Sequence, residues 1–465
     1  MVIKRIGIRH IGKGSAAGLA LLLTSGLALA QDSGTGTVPP RLSFTTGLGL
    51  THDDNPGMAV GGSTAQDTVD LTLGLSVNTA TPVDKFSLNL GALVRAQTAE
   101  AFGFRNPSAK LTYSRAIGTS NFALTGQWSA TPVDLFEPTV LSDGSIAPTD
   151  INASTGTITT LDTGFNLQTG SSGPLGFDLA GHFNAHDYSD TSDPSVYDSR
   201  SHSVSAGVHL RMDAGSDLGL SLAGSGSDYD NADNTTRRSN SVTLSYSRTL
   251  RPDLTLNASL GQSTEVSYQD GTTSNKSSGL TGSLGLDRAL PNGHATVNLS
   301  SQRDALGSRQ VLDFGRSLDL KSGALDASIG YSGRSGDTGQ IVASLSWSQQ
   351  LPTDSFGVNL SRQVSLNAND ADVASMVLGA RWTHEVTAAS SLGLTLNLAM
   401  TDAAGDIAVD AVTRETLRAT WSHDLAADWQ LQAGYQYRGL DKAATGTASG
   451  NSVFLTLTRK FNLLP

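Results

Sequence analysis

Leu392-Gly393-Leu394-Thr395-Leu396-Asn397-Leu398-Ala399-Met400 puts an apolar side chain at every even position and a small or polar residue at every odd one. Successive side chains of a strand point to opposite faces, so this stretch is a strand with one greasy and one wettable side. The pattern recurs along the chain. Trp429, Leu431, Ala433, Tyr435 and Tyr437 alternate with Gln430, Gln432, Gly434, Gln436 and Arg438, and Val69/Leu71/Leu73/Leu75/Val77, Phe86/Leu88/Leu90/Ala92/Val94 and Leu254/Leu256/Ala258/Leu260 do the same. Beyond residue 30 nothing repeats with the 3.6-residue period of a helix. Length then discriminates. The alternating segments run about 9–12 residues, longer than the ~5–6 common in globular sheets and close to the ~9–11 that carry a tilted strand across hydrocarbon. A soluble sandwich would need a second sheet against each apolar face. In a membrane barrel lipid covers that face, the polar face surrounds water, and closure pairs every backbone amide and carbonyl.

The connections alternate in size. Arg251-Pro252-Asp253, Pro291-Asn292-Gly293, Ser322-Gly323, Pro352-Thr353-Asp354, Ala388-Ala389-Ser390 and Ala426-Ala427-Asp428 are short turns one hairpin apart. Between them lie longer, acidic, Asn- and Gly-rich stretches: 52–66, 132–154, 187–200, 227–236, 367–372 and 402–410. Short turns at one end and long loops at the other predict a single large up-and-down antiparallel transmembrane β-barrel over residues 41–465, with an even number of strands, about 22 and within a range of about 16–24.

The first thirty residues read as a cleaved signal peptide. Lys4, Arg5, Arg9 and Lys13 precede an apolar run, Ala16 to Ala30, ending in Ala28-Leu29-Ala30, so cleavage is expected before Gln31. The run is about 15 residues, short of the ~20 of a spanning helix. Residues 31–40 form a flexible lead-in. Removing the leader takes four basic residues and leaves 27 against 42 acidic ones, a net of −15, which disfavours nucleic acid as a partner. Cysteine is absent, which excludes disulfide frameworks, cysteine zinc sites and thiol catalysis. Charged residues are 16% and hydrophobic ones 38%, beside 50 glycines, a lean composition that suits one large repetitive object.

Gly47-Leu48-Gly49-Leu50-Thr51 followed by His52-Asp53-Asp54-Asn55-Pro56 resembles the start of β-barrel porin families of Gram-negative bacteria, in which a first strand rises to a loop rich in Asp and Asn. The hairpin train resembles the same group across the mature chain. The resemblance implies residence in the outer membrane among its lipid and lipopolysaccharide, insertion by the barrel assembly machinery, and, since some members are linked to exopolysaccharide export, periplasmic export partners. It also implies an assembly signal in the last strand, for which Val453, Leu455, Leu457 and Phe461 fit. Arg459 interrupts that series, and the chain runs on through Asn462-Leu463-Leu464-Pro465.

Inward-facing charges are the candidate site. Arg381, Arg414, Arg418 and Arg438 fall on neighbouring strands with the parity of the polar face, as do Asp70, Arg95, Asp287 and Asp326. A basic patch at one wall would select anionic solutes, the way rings of charge set pore selectivity. His182 and His186 share a strand face but lie about 13 Å apart at ~3.3 Å per residue, too far for one zinc. Asp187, Asp190, Asp193 and Asp198 lack calcium-loop spacing. No metal or other cofactor is expected, and no G-x-S-x-G nucleophile elbow or other catalytic set stands out. The expected function is a porin-like channel or export barrel with passive passage through a polar lumen. A separate plug is not expected, and the longest loop, 132–154, is the first candidate to occlude the bore. A secreted β-solenoid adhesin and a non-conducting structural barrel are the alternatives.

Overall fold

The computed structural model describes residues 38–97, 100–133, 156–191, 196–334, 339–405, 407 and 409–464. The leader, with Ala28, Ala30 and Gln31, lies outside them. The strands are β1 (Val38–Asp53), β2 (Gln66–Ala80), β3 (Asp84–Gln97), β4 (Glu100–Ile117), β5 (Ser120–Pro132), β6 (Thr157–Thr169), β7 (Leu175–Ser189) and β8 (Ser199–Asp213). Then come β9 (Ser216–Tyr229), β10 (Thr236–Arg251), β11 (Leu254–Gln269), β12 (Thr272–Leu290), β13 (Gly293–Asp304), β14 (Gly307–Leu320) and β15 (Gly323–Arg334). The rest are β16 (Gln340–Gln350), β17 (Asp354–Leu366), β18 (Asp372–Thr387), β19 (Ser390–Ala403), β20 (Val412–Ala426), β21 (Trp429–Lys442) and β22 (Gly446–Leu464). Each pairs antiparallel with the next, and β1 pairs with β22, so all 22 strands form one closed sheet with no free edge. Closure excludes the solenoid alternative.

At ~4.8 Å between neighbours and a ~40° tilt, 22 strands enclose a cylinder about 40 Å wide. The greasy face is outside. Leu48, Leu284 and Ile329 are 52%, 54% and 60% exposed, whereas the interleaved Gly, Ser and Thr line the bore. The short turns stand at the end where β1 begins and β22 stops, the termini end, and the longest connections at the far end. The strands are 11–19 residues long, more than the alternation alone marked. The excess lies where the apolar alternation stops, as in Thr272–Gly279 of β12, because ladder hydrogen bonds hold two strands together whatever their side chains are.

Three arginines on the greasy face are accounted for. Each sits near a rim and reaches a polar group there, avoiding the ~2–4 kcal/mol of a midplane charge. Arg316 donates to the carbonyls of His294 and Ser317 and to Asn292 at a turn. Arg362 donates to the Ile341 carbonyl. Arg459 pairs with Asp428 at 2.9 Å and lies over both Trp429 and Phe461. Trp347 stacks on Phe356, and Trp382 donates to Asp354, near the termini end, where amphipathic rings suit a membrane–water boundary. On the closing strand β22, Val453, Leu455, Leu457 and Phe461 share the outer face, opposite His52, Leu50, Leu48 and Phe44.

Candidate functional site: an occluded lumen

Connections at the far end turn into the bore and touch its inner wall. After β17, Asn367–Ala371 turns inward, with Asp370 at a left-handed φ of 55° that Asp tolerates better than most residues. Its carboxylate reaches across to Arg237 on β10, seven strands away, with contacts of 2.5 and 3.1 Å. Asn275 of β12 donates to the other oxygen at 2.8 Å and Ser267 of β11 to the first at 3.3 Å. Asn369 accepts from Asn231, which lies in the connection before β10. Arg237 also donates to the carbonyls of Leu366 and Asn367. A few residues on, Asp372 takes Arg309 of β14 at 2.5 Å and Arg334 of β15 at 3.1 Å, and Asp304 of β13 also binds Arg334. These charges are desolvated: the side chains of Asp370, Asp372 and Arg334 are 6%, 5% and 9% exposed.

Two further connections reach the opposite wall. The loop after β1 lays Met58 against Ala399, Val412 and Leu440 and the neighbouring Val377, all inward-facing. Asn55 donates to the Ser449 carbonyl, and Asp53 pairs with Arg438 at 2.5 Å. The start of the connection after β5 sends the Val133 carbonyl to Arg414 on β20 at 3.1 Å, while Val133 itself packs with Ile158, Tyr188 and Val196. Inward hydroxyls that a water-filled pore would leave wet are therefore covered at this end: Ser267, Ser332 and Ser375 are all buried.

The expected lumen residues fall into different environments. Arg381, Arg414, Arg418 and Arg438 all face the bore from β18, β20 and β21. Arg414 and Arg438 anchor infolded chain. Arg418 lies over the Phe454 ring at 4.5 Å. Arg381 is exposed and has no ion-pair partner among the described residues. Asp70 and Arg95 form a two-point pair across β2 and β3, at 2.7 and 2.9 Å. His182 sits 3.3 Å from Asp162 across β6 and β7, and His186 is buried. The residues that tie the connection after β17 across the bore, Arg237, Arg309, Arg334, Asp370 and Asp372, were not among the expected ones. Their partners lie up to 133 residues away, a distance no periodicity spans.

The first loop carries an acid sensitivity. The backbone amide of Asn451, and then its side chain, donate to Asp54 and hold its carboxyl below the usual carboxylate range. That contribution to docking is present above the unfolded value of ~3.9 and fades as pH drops through the lowered one. After division by the intrinsic rate at each pH, amide exchange in residues 55–62 is expected to accelerate below about pH 4. Asp54→Ala should exchange fast already at pH 7, and an unchanged exchange rate in that variant would refute the assignment.

No protein-family model matches the sequence, and no curated protein matches it. Solved structures do share its fold. The FrpB iron transporter of Neisseria meningitidis in its apoprotein form superposes with a TM-score of 0.57 at 10% identity, over 94% of this chain and 83% of that one. The ferric-catecholate import receptor Fiu of E. coli K12 gives 0.53 at 11%, over 92% and 82%. The ferric enterobactin receptor of Pseudomonas aeruginosa, in complex with enterobactin, gives 0.52 at 10%, over 92% and 82%. What this chain has in common with them is the barrel fold.

Proposed function

We propose that the protein is a Gram-negative outer-membrane conduit for polar solutes or a polysaccharide, exported behind its signal peptide, whose far-end connections fold inward and close the bore. The termini end faces the periplasm on this reading, as short turns do in bacterial barrels. Passage is passive, through a lumen walled by Ser, Thr, Asn and Gly, and involves no covalent chemistry. The single observation that carries the reading is the Asp370–Arg237 link, a contact that holds a connection across the inside of the cylinder. Barrels of 22 strands in outer-membrane transporters hold a plugged lumen, and here loop segments occupy part of that volume. The fold likeness to iron transporters brings no iron ligand to this chain, since it is a likeness of backbone alone.

Planar-bilayer recording of the refolded mature chain tests the proposal. The wild type should show small discrete steps, and loosening the Asp370 link should enlarge them. Silence from both the wild type and the loosened variant would leave a structural barrel without conductance.

A further inference from the structure

Among the described residues none covers the bore beside the start of β1 and the end of β22, and the charges there are sorted by wall. On β22, β1, β3 and β4 the inward residues Lys460, Arg41, Lys85 and Lys110 carry positive charge, and the inward positions of the same strands and β2 hold no acid in the termini half. None of the four cations has an ion pair or side-chain hydrogen bond among the described residues. Half a turn of the barrel away, β12, β14 and β15 present the inward Asp287, Asp313, Asp319 and Asp326, with His294 beside them on β13 and Lys321 in the β14–β15 turn. Both walls are wet. At physiological salt the Debye length is ~8 Å, far less than the width of the bore, so each wall acts on its own.

The basic wall has the form of a binding groove. Arg41, Asn78, Ser87, Thr112 and Thr125 lie in one register row across β1 to β5. Four strand gaps at ~4.8 Å make that row about 19 Å long. Lys85 stands below it and Lys110 above it, two residues to either side. A cavity of about 580 Å³ lies along the row, lined among others by Arg41, Asn78, Lys85, Ser87, Thr112 and Thr125. That is a ligand-sized volume.

We infer that this groove binds an elongated, multiply carboxylated, hydroxyl-rich solute. By register the Cα atoms of Arg41 and Lys85 stand about 12 Å apart and those of Lys85 and Lys110 about 14 Å apart, a spacing that charges spread along an elongated ligand match without drawing all three side chains to one point. The amide and hydroxyl row between them matches alcohol groups rather than apolar surface. The inference deepens the conduit reading by naming what enters it. Its test reads binding, whereas the conduit is tested by current, so either can fail alone.

Calorimetric titration of the refolded mature barrel in zwitterionic detergent at low salt supplies the test, with tetragalacturonate, citrate and uncharged maltotetraose as probes. Tetragalacturonate should bind at least tenfold tighter than the other two and weaken in 0.3 M NaCl. Arg41→Gln/Lys85→Gln/Lys110→Gln should lose at least tenfold, and Asp287→Asn/Asp326→Asn should change little. In the wild type, tetragalacturonate should shield Lys85 and Lys110 from amine acylation while leaving Lys276 and Lys321 reactive, a readout that needs no variant to fold. Equal affinity for maltotetraose or citrate, no binding at all, an unaffected triple variant, or unshielded Lys85 and Lys110 would each overturn the inference.

Discussion

Asp370→Ala is expected to open the bore. The side chain it removes is 6% exposed and satisfies Arg237, itself 16% exposed, together with Asn275 and Ser267. Breaking a buried pair by deleting one partner typically costs about 3–5 kcal/mol, because the other charge stays desolvated and unpaired. Here the barrel wall does not depend on the pair, since every ladder bond of β10, β17 and β18 survives. The loss therefore falls on the loop, which can leave for water, where Arg237 is solvated again. At 1.4 kcal/mol per decade, about 3 kcal/mol shifts the closed-to-open ratio more than a hundredfold. Single-channel conductance should rise several-fold and vesicles should swell faster in small sugars. Arg237→Ala should do the same. The exchange Asp370→Arg/Arg237→Asp should restore part of the closure. Unchanged conductance in both single variants would show that residues 367–371 do not obstruct passage.

The second large effect concerns the outer surface. Leu48 lies midway along β1, opposite Leu71 and Leu457, and is 52% exposed. If that surface meets lipid, Leu48→Arg places a charge close to the bilayer midplane and costs about 2–4 kcal/mol. Refolding yield into phosphatidylcholine vesicles, read as the heat-modifiable band on a denaturing gel, should fall steeply. Ser43→Arg, on the inner parity of the same strand, should refold like the wild type, because its side chain enters water. Equal yields from both variants would mean that hydrocarbon does not cover the outer face.

Much of the wall was legible from sequence because its cause is local. Alternation is a property of neighbours two residues apart, as at Leu392 to Met400, and turns such as Pro291-Asn292 are read from three residues. An even count near 22, within about 16–24, and the termini-end turns follow from those signals. The lumen contents were not legible for the opposite reason. Nothing near Asp370 in sequence names Arg237 as its partner, and Asn367 to Asp372 read only as another acidic loop. The inward arginines illustrate the limit. Parity placed Arg414 and Arg438 on the inner face, but their attachments to Val133 and Asp53 depend on where the loops go. The grease-side arginines show a milder form of it: Arg362 interrupts a clean pattern, and only its height near the rim explains why a charge is tolerated.

A tube one strand thick and some 40 Å across has little stiffness against flattening, since hydrogen bonds run around its circumference and hinge easily. The links from Asp370 to Arg237, from Val133 to Arg414 and from Met58 to the β18–β21 wall act as spokes in a hoop. They lie in the far-end half only, so that half keeps its roundness while the termini half can become oval. Cutting one spoke shifts its load onto the others, which couples loops that never touch through the shape of the rim they share.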